Sequence, residues 1–171
     1  MRYKNIGKVK FIVAMFTLFI SQTISAQLSK NEEGTQFNFC IGNWDLFANG
    51  SKFGESKVDT LLDGFAIQED FLEFPPDPFH SINITTYNTD AKQWEQTMVD
   101  NMGHHSFFAG KFIDGKVSLV RNFKNKNGED RMQRTTFYNI SRDSFDWTFD
   151  ASSDGGKSWN TFYTVHYVRK K

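Results

Sequence analysis

The sequence predicts an all-β fold, an antiparallel up-and-down β-barrel of about ten strands, and three observations carry that reading. From about residue 39 onward, short segments rich in aromatic and β-branched residues alternate with Gly, Asn and Asp, with little helical periodicity. The breaks are tight-turn chemistry: Asp63-Gly64, Asp114-Gly115, Asn127-Gly128 and Asp154-Gly155-Gly156, where glycine takes positive φ without steric cost. All three prolines, Pro75, Pro76 and Pro78, share one loop, so none interrupts a strand ladder. A two-sheet sandwich would house as many strands. Hairpin following hairpin favours closure, which removes unpaired edges.

Taken in order, residues 1–26 read as a secretory signal peptide. Arg2, Lys4, Lys8 and Lys10 precede an apolar run over 11–20, too short for a membrane-spanning helix, and small Ala26 suits the last position before cleavage. A secreted or periplasmic location is expected, with no stable membrane insertion once the leader is removed. Residues 27–38 form a lead-in, and 39–171 a single barrel domain. Strands are expected near 39–48, 55–62, 65–74, 80–87, 94–101, 104–113, 116–124, 131–141, 144–151 and 158–169. The leader holds four of the twenty basic residues and none of the acidic ones, which leaves the rest at a formal net of −4. Without a basic cluster, nucleic acid is excluded as a partner. The single cysteine, Cys40, cannot close an intramolecular disulfide. Stability must therefore come from packing.

The stretch SSDGGKSW, Ser152 to Trp159, fits the Ser-x-Asp-x-Gly-x-x-Trp pattern called the Asp box. No repeat at propeller period accompanies it. One copy is sufficiently explained as a hairpin in which Asp154 bonds turn amides, Ser152 supports it and Trp159 packs beneath.

FNFCIGNWDL (37–46), LLDGFAIQE (61–69), TYNTDAKQWEQTMVDNMG (86–103), Arg134 with Thr136, and SSDGGKSW followed by the terminal YVRKK together resemble a group of secreted bacterial proteins, domain of unknown function 1579. The resemblance implies a calycin-like barrel, similar in outline to lipocalins, fatty-acid-binding proteins and the haem-binding nitrobindins. It implies no established activity. The chain departs from the usual pattern at Cys40 and Met98, where that group more often has Trp.

A closed barrel buries alternate residues, so parity selects the candidate site. Glu69 shares a face with Phe65, Ile67 and Phe71, and a carboxylate among aromatics requires a partner. Arg134, on a face with Met132, Thr136 and Tyr138, is the expected cation, either paired to Glu69 or free for an anionic head group. Trp94, Gln96, Met98 and Asp100 share a face of the fifth expected strand, a mixture suited to a small-molecule pocket. Each group also has a purely structural reading, as an ion pair or as ordinary barrel filling. Trp44 is expected to plug a barrel end.

His104 and His105 point to opposite faces and cannot grip one metal together, so no metal site is expected. No cofactor is implied by the residues themselves. Architectural likeness to nitrobindins would make His166 a haem ligand, although no aligned motif supports it. No nucleophile elbow or phosphate loop is present, and carboxylates such as Glu69 and Asp100 could serve a glycosidase only at a suitable separation. The leading expectation is an exported, non-enzymatic binder of a small apolar or amphipathic molecule, oriented by Arg134 and Gln96. The alternatives are an extracytoplasmic enzyme acting on glycans or lipids, and a structural or interaction module with a filled barrel.

Overall fold

The computed structural model describes residues 32–76 and 78–171. The leader assigned to 1–26 lies outside the described residues. Ten strands follow one another: β1 (Gly42–Ala48), β2 (Ser51–Leu61), β3 (Ala66–Glu73), β4 (His80–Asn88), β5 (Gln93–Asp100), β6 (His105–Ile113), β7 (Lys116–Lys124), β8 (Asp130–Tyr138), β9 (Ser144–Ser152) and β10 (Asn160–Arg169). Each pairs antiparallel with its chain neighbours, and β10 returns to pair with β1, from Trp44 opposite Arg169 to Phe47 opposite His166. The fold is thus the closed up-and-down barrel that the turn chemistry predicts. All ten strands lie within a few residues of their expected spans. The largest differences are at the start, where Asn38–Cys40 is a 3-10 turn so that β1 begins only at Gly42, and where β2 begins at Ser51, four residues before its expected start.

That leading segment seals one end. Phe37 is buried against Trp94 and Phe137, ring centroids 5.1 and 5.0 Å away, and Phe39 meets Phe145 edge-on at 5.2 Å. Trp44 is fully buried and donates its indole N–H to the Cys40 carbonyl at 2.6 Å, so the expected plug is the observed one. Arg169, at the end of β10, lays its guanidinium 4.1 Å over the Trp44 ring. It donates to the carbonyls of Ile41 (2.8 Å), Arg142 (2.8 Å) and Phe39 (3.3 Å). One cation therefore ties the last strand, the β8–β9 connection and the leading segment together. Gly42 makes room for it: φ is +135°, and a Cβ there would lie 2.2 Å from Arg169 Nη1.

The Asp-box hairpin behaves as its turn chemistry requires. Asp154 Oδ1 accepts from the Lys157 and Ser158 amides, both at 3.0 Å, and from the Ser152 hydroxyl at 2.8 Å. Hydrogen bonds from Ser158 foremost, and from Ser152 and Lys157, hold the Asp154 carboxyl down at about 2. Trp159 donates to the Gly156 carbonyl. The motif closes β9 to β10.

Candidate functional site

Above the sealed layer the inner face changes character. A cavity of about 840 Å3 runs from mid-barrel to the end that carries the β3–β4 and β5–β6 connections. Strand alternation places its walls. Phe71 and Phe79 meet edge-on on one side, and Phe137, Trp147 and Phe149 line the other, with Trp147 stacked on Phe149 at 6.0 Å. Between these aromatic walls the inward positions are polar: Ser81, Asn83, Gln96, Ser106, Gln133 and Thr135.

Glu69 projects inward from β3, as its parity with Ile67 and Phe71 predicts, but its partners are neutral. Oε1 accepts from Ser56 Oγ at 2.7 Å and Tyr167 OH at 3.1 Å, and Oε2 from Asn83 Nδ2 at 3.1 Å. Burial pushes the Glu69 carboxyl above its usual range, and these three donors only partly oppose it. Burial, and then the Glu69 charge, push the Tyr167 phenol well above its ordinary value. Among the described residues no cation pairs with Glu69.

The expected cation, Arg134, is elsewhere. Its neighbours Gln133, Thr135 and Phe137 face the cavity, so Arg134 faces outward. There it lies opposite Asp150 on β9, donating from Nε (3.0 Å) and Nη2 (2.8 Å) to Asp150 Oδ2. Its guanidinium also covers the Trp159 ring at 4.2 Å. Thr161 donates to the other Asp150 oxygen at 2.6 Å. This arrangement braces the Asp-box hairpin against the outer wall. The proposed inward Glu69–Arg134 pair does not exist, because strand register gives Arg134 a carboxylate neighbour on its own face.

The cation inside is Arg121, on β7, which the sequence reading missed. Its signal was the alternation Val117, Leu119, Arg121, Phe123, an apolar face with one arginine in it. Arg121 donates from Nε to Gln133 Oε1 at 2.5 Å and from Nη1 to Ser106 Oγ, and lies over Phe123 (4.5 Å) and Phe108 (5.4 Å). Among the described residues no carboxylate pairs with it. Burial pulls its pKa below the usual guanidinium range, which still leaves it protonated at neutral pH.

The remaining expectations divide. Gln96 and Met98 line the cavity, with Gln96 Nε2 donating to Thr85 Oγ1 at 3.0 Å. Trp94 faces inward but belongs to the sealed layer, 2 % exposed, so it is core rather than pocket wall. Asp100 lines the mouth with its carboxylate occupied. Oδ1 accepts from the Met102 and His104 amides, and Oδ2 pairs with the His104 ring at 3.0 Å. Burial raises the Asp100 carboxyl, but those bonds outweigh it and leave the group below its usual range. His166 points outward, half exposed and 2.7 Å from Asp146 Oδ1, so it cannot serve as a haem ligand inside the barrel.

Two cavity-lining atoms have no hydrogen-bond partner: Asn83 Oδ1 and Thr135 Oγ1, on residues 8 % and 4 % exposed. Buried polar atoms are rarely left so, and both residues belong to the cavity lining. Among the described residues the cavity therefore combines apolar walls, one guanidinium without a carboxylate, two carboxylates without a cation, Glu69 and Glu73, and two unmet polar atoms. A molecule carrying both apolar surface and polar groups fits that set.

Residues 41–169 match the family described as Protein of unknown function (DUF1579), a span that starts one residue before β1 and ends with β10. No curated protein matches the chain.

Proposed function

The chain belongs to the DUF1579 family of proteins of unknown function, and from that premise we propose that it is an exported, non-enzymatic container for a small amphipathic molecule. One observation carries the reading: a cavity of about 840 Å3, open at one end, whose aromatic walls surround an unpaired arginine, Arg121. A packed barrel interior would have favoured an interaction module. Arg121 is already oriented by Gln133 and Ser106, so an acidic group of the ligand meets a guanidinium that needs no rearrangement. The rings of Phe71, Phe137, Trp147 and Phe149 take the apolar body. The likeness of a closed ten-stranded barrel to calycins supports the same reading, since in both the enclosed space is the natural site.

The enzyme alternative has less support. Glu69, Glu73 and Asp100 line the cavity, but the Asp100 oxygens are taken up by its own turn and the Glu69 oxygens by Ser56, Tyr167 and Asn83, which leaves Glu73, among the described residues, as the one lining carboxylate not already engaged. Export is supported by the leader read in residues 1–26.

Native mass spectrometry of the protein isolated from the envelope fraction or medium of its own host tests both parts. The expected result is a chain beginning at Gln27 with a retained acidic, partly apolar small molecule. A chain that carries nothing under those conditions, and whose cavity rejects fatty acids and aromatic acids in titration, overturns the container reading.

A further inference from the structure

The cavity has a second polar station facing away from Arg121. Glu69 lies on β3 opposite Asn83 on β4, which lies opposite Met98 on β5, which in turn lies opposite Ser106 on β6. Ser106 accepts the hydrogen bond from Arg121. The inner wall thus carries one continuous row: acceptors at Glu69 and Asn83, a soft apolar patch at Met98, and a cation at Ser106–Arg121. Three strand spacings separate its ends, about 14 Å along the curved wall.

The acceptor end is unfinished. Asn83 is nine-tenths buried and its Oδ1 has no donor, while its Nδ2 is held by Glu69. Glu69 holds three neutral donors and no cation. The lining as a whole contains three carboxylates, Glu69, Glu73 and Asp100, against the single guanidinium of Arg121. A ligand that brought only an acid would satisfy Arg121 and then lie in a field set by excess negative charge, with Asn83 Oδ1 still unmet. A ligand that also brings a hydrogen-bond donor removes both penalties.

Resting on the container reading above, we propose that the bound molecule is bifunctional: an acidic group at Arg121 and, across an apolar spacer, a hydroxyl or amine that donates to Asn83 Oδ1 and Glu69. The site is then selective for hydroxy or amino acids of extended shape over simple fatty acids. Selectivity of this kind follows from leaving a buried acceptor unpaired when the wrong ligand binds.

Isothermal titration of the full chain, freed of retained ligand, with dodecanoate, ω-hydroxydodecanoate, ω-aminododecanoate and dodecylamine tests it. The two ω-substituted acids are expected to bind at least about tenfold tighter than dodecanoate, the worth of one well-made buried hydrogen bond. Dodecylamine, lacking the acid, is expected to bind more weakly than its amino-acid counterpart. In Glu69→Gln the amino acid should lose most of its advantage over dodecanoate, whereas the hydroxy acid should keep its own, because the Gln carbonyl and Asn83 Oδ1 still accept. Equal affinity of dodecanoate and both ω-substituted acids in the unaltered chain overturns the second station while leaving the container reading intact. Failure of all four to bind removes the two together.

Discussion

The two halves of this barrel are built from the same ten strands and use the same inward alternation, yet they fill it oppositely. At the sealed end Phe37, Trp44, Trp94, Val117 and Phe145 leave no open space, and their polar atoms find partners within the layer. At the open end Ser, Asn, Gln and Thr replace them, and two polar atoms stay unmet. The contrast separates duties. Packing at one end supplies the stability that lets the other end remain unfilled.

The largest effect is expected where that packing is densest. Trp44→Ala removes a fully buried indole, its bond to Cys40 and the platform beneath Arg169, and should cost about 3–5 kcal/mol in urea unfolding. A loss below about 1 kcal/mol would mean that the leading segment does not depend on this ring. A smaller loss is expected at Gly110, which faces Leu119 across β6 and β7. A Cβ there would lie 1.9 Å from the Ser118 carbonyl oxygen, a backbone atom that cannot move aside alone. Gly110→Ala should therefore cost about 1–3 kcal/mol through overpacking. The same substitution at Gly128 separates the causes, because its surroundings are open and the cost there comes only from the left-handed φ of +78°.

Much of the sealed half could be read from residue types. Turn glycines, the proline loop and Asn- and Asp-rich breaks cut the chain into ten segments, and apolar parity placed Ile67 inside and with it Phe71 and Glu69 of the adjoining cavity wall. The open half was less legible because its inward positions are polar. On β8 the inward set Gln133, Thr135 and Phe137 is no more apolar than the outward set Met132, Arg134, Thr136 and Tyr138, so parity alone could not choose. Cross-strand register decided it by giving Arg134 the carboxylate of Asp150. On β7 the opposite holds. Val117 and Leu119 mark the inward face, and Arg121 follows them at the same parity, a signal that was present and overlooked. Trp94 illustrates another limit: alternation gives the face of a residue but not its height in the barrel.

Glu69 offers a smaller, pH-dependent test at the boundary between the halves. Its pKa is raised in the folded state above the ordinary carboxylate value, so folding favours the protonated form. Its stabilising contribution is complete below the unfolded value, near pH 4.5, and is lost as pH rises through the folded value. Glu69→Gln removes that loss and keeps an acceptor and a donor in place. The variant should match the unaltered chain in melting temperature near pH 4 and exceed it at pH 7–8. A Gln variant that is less stable at pH 8 than at pH 5, with the same slope as the parent, would show that another group sets the dependence.

Arg121→Met should change stability least, because the open end does little of the packing. The replacement keeps an unbranched apolar stem against Phe108 and Phe123 and removes a charge that no carboxylate offsets. Ser106 and Gln133 lose a donor, but they border the cavity, where water can replace it. Unfolding free energy is therefore expected within about 1 kcal/mol of the parent. Affinity for dodecanoate should nevertheless fall by about tenfold or more, the worth of a charge-assisted hydrogen bond. Its decline with added salt should flatten, since the attraction being screened is gone. Arg121→Lys, which keeps the charge but not the planar fork, should fall between the two. Were Arg121→Met to unfold the barrel while Trp44→Ala did not, the division of labour between the two ends would be reversed, and the guanidinium would have to be counted among the groups that hold the fold together.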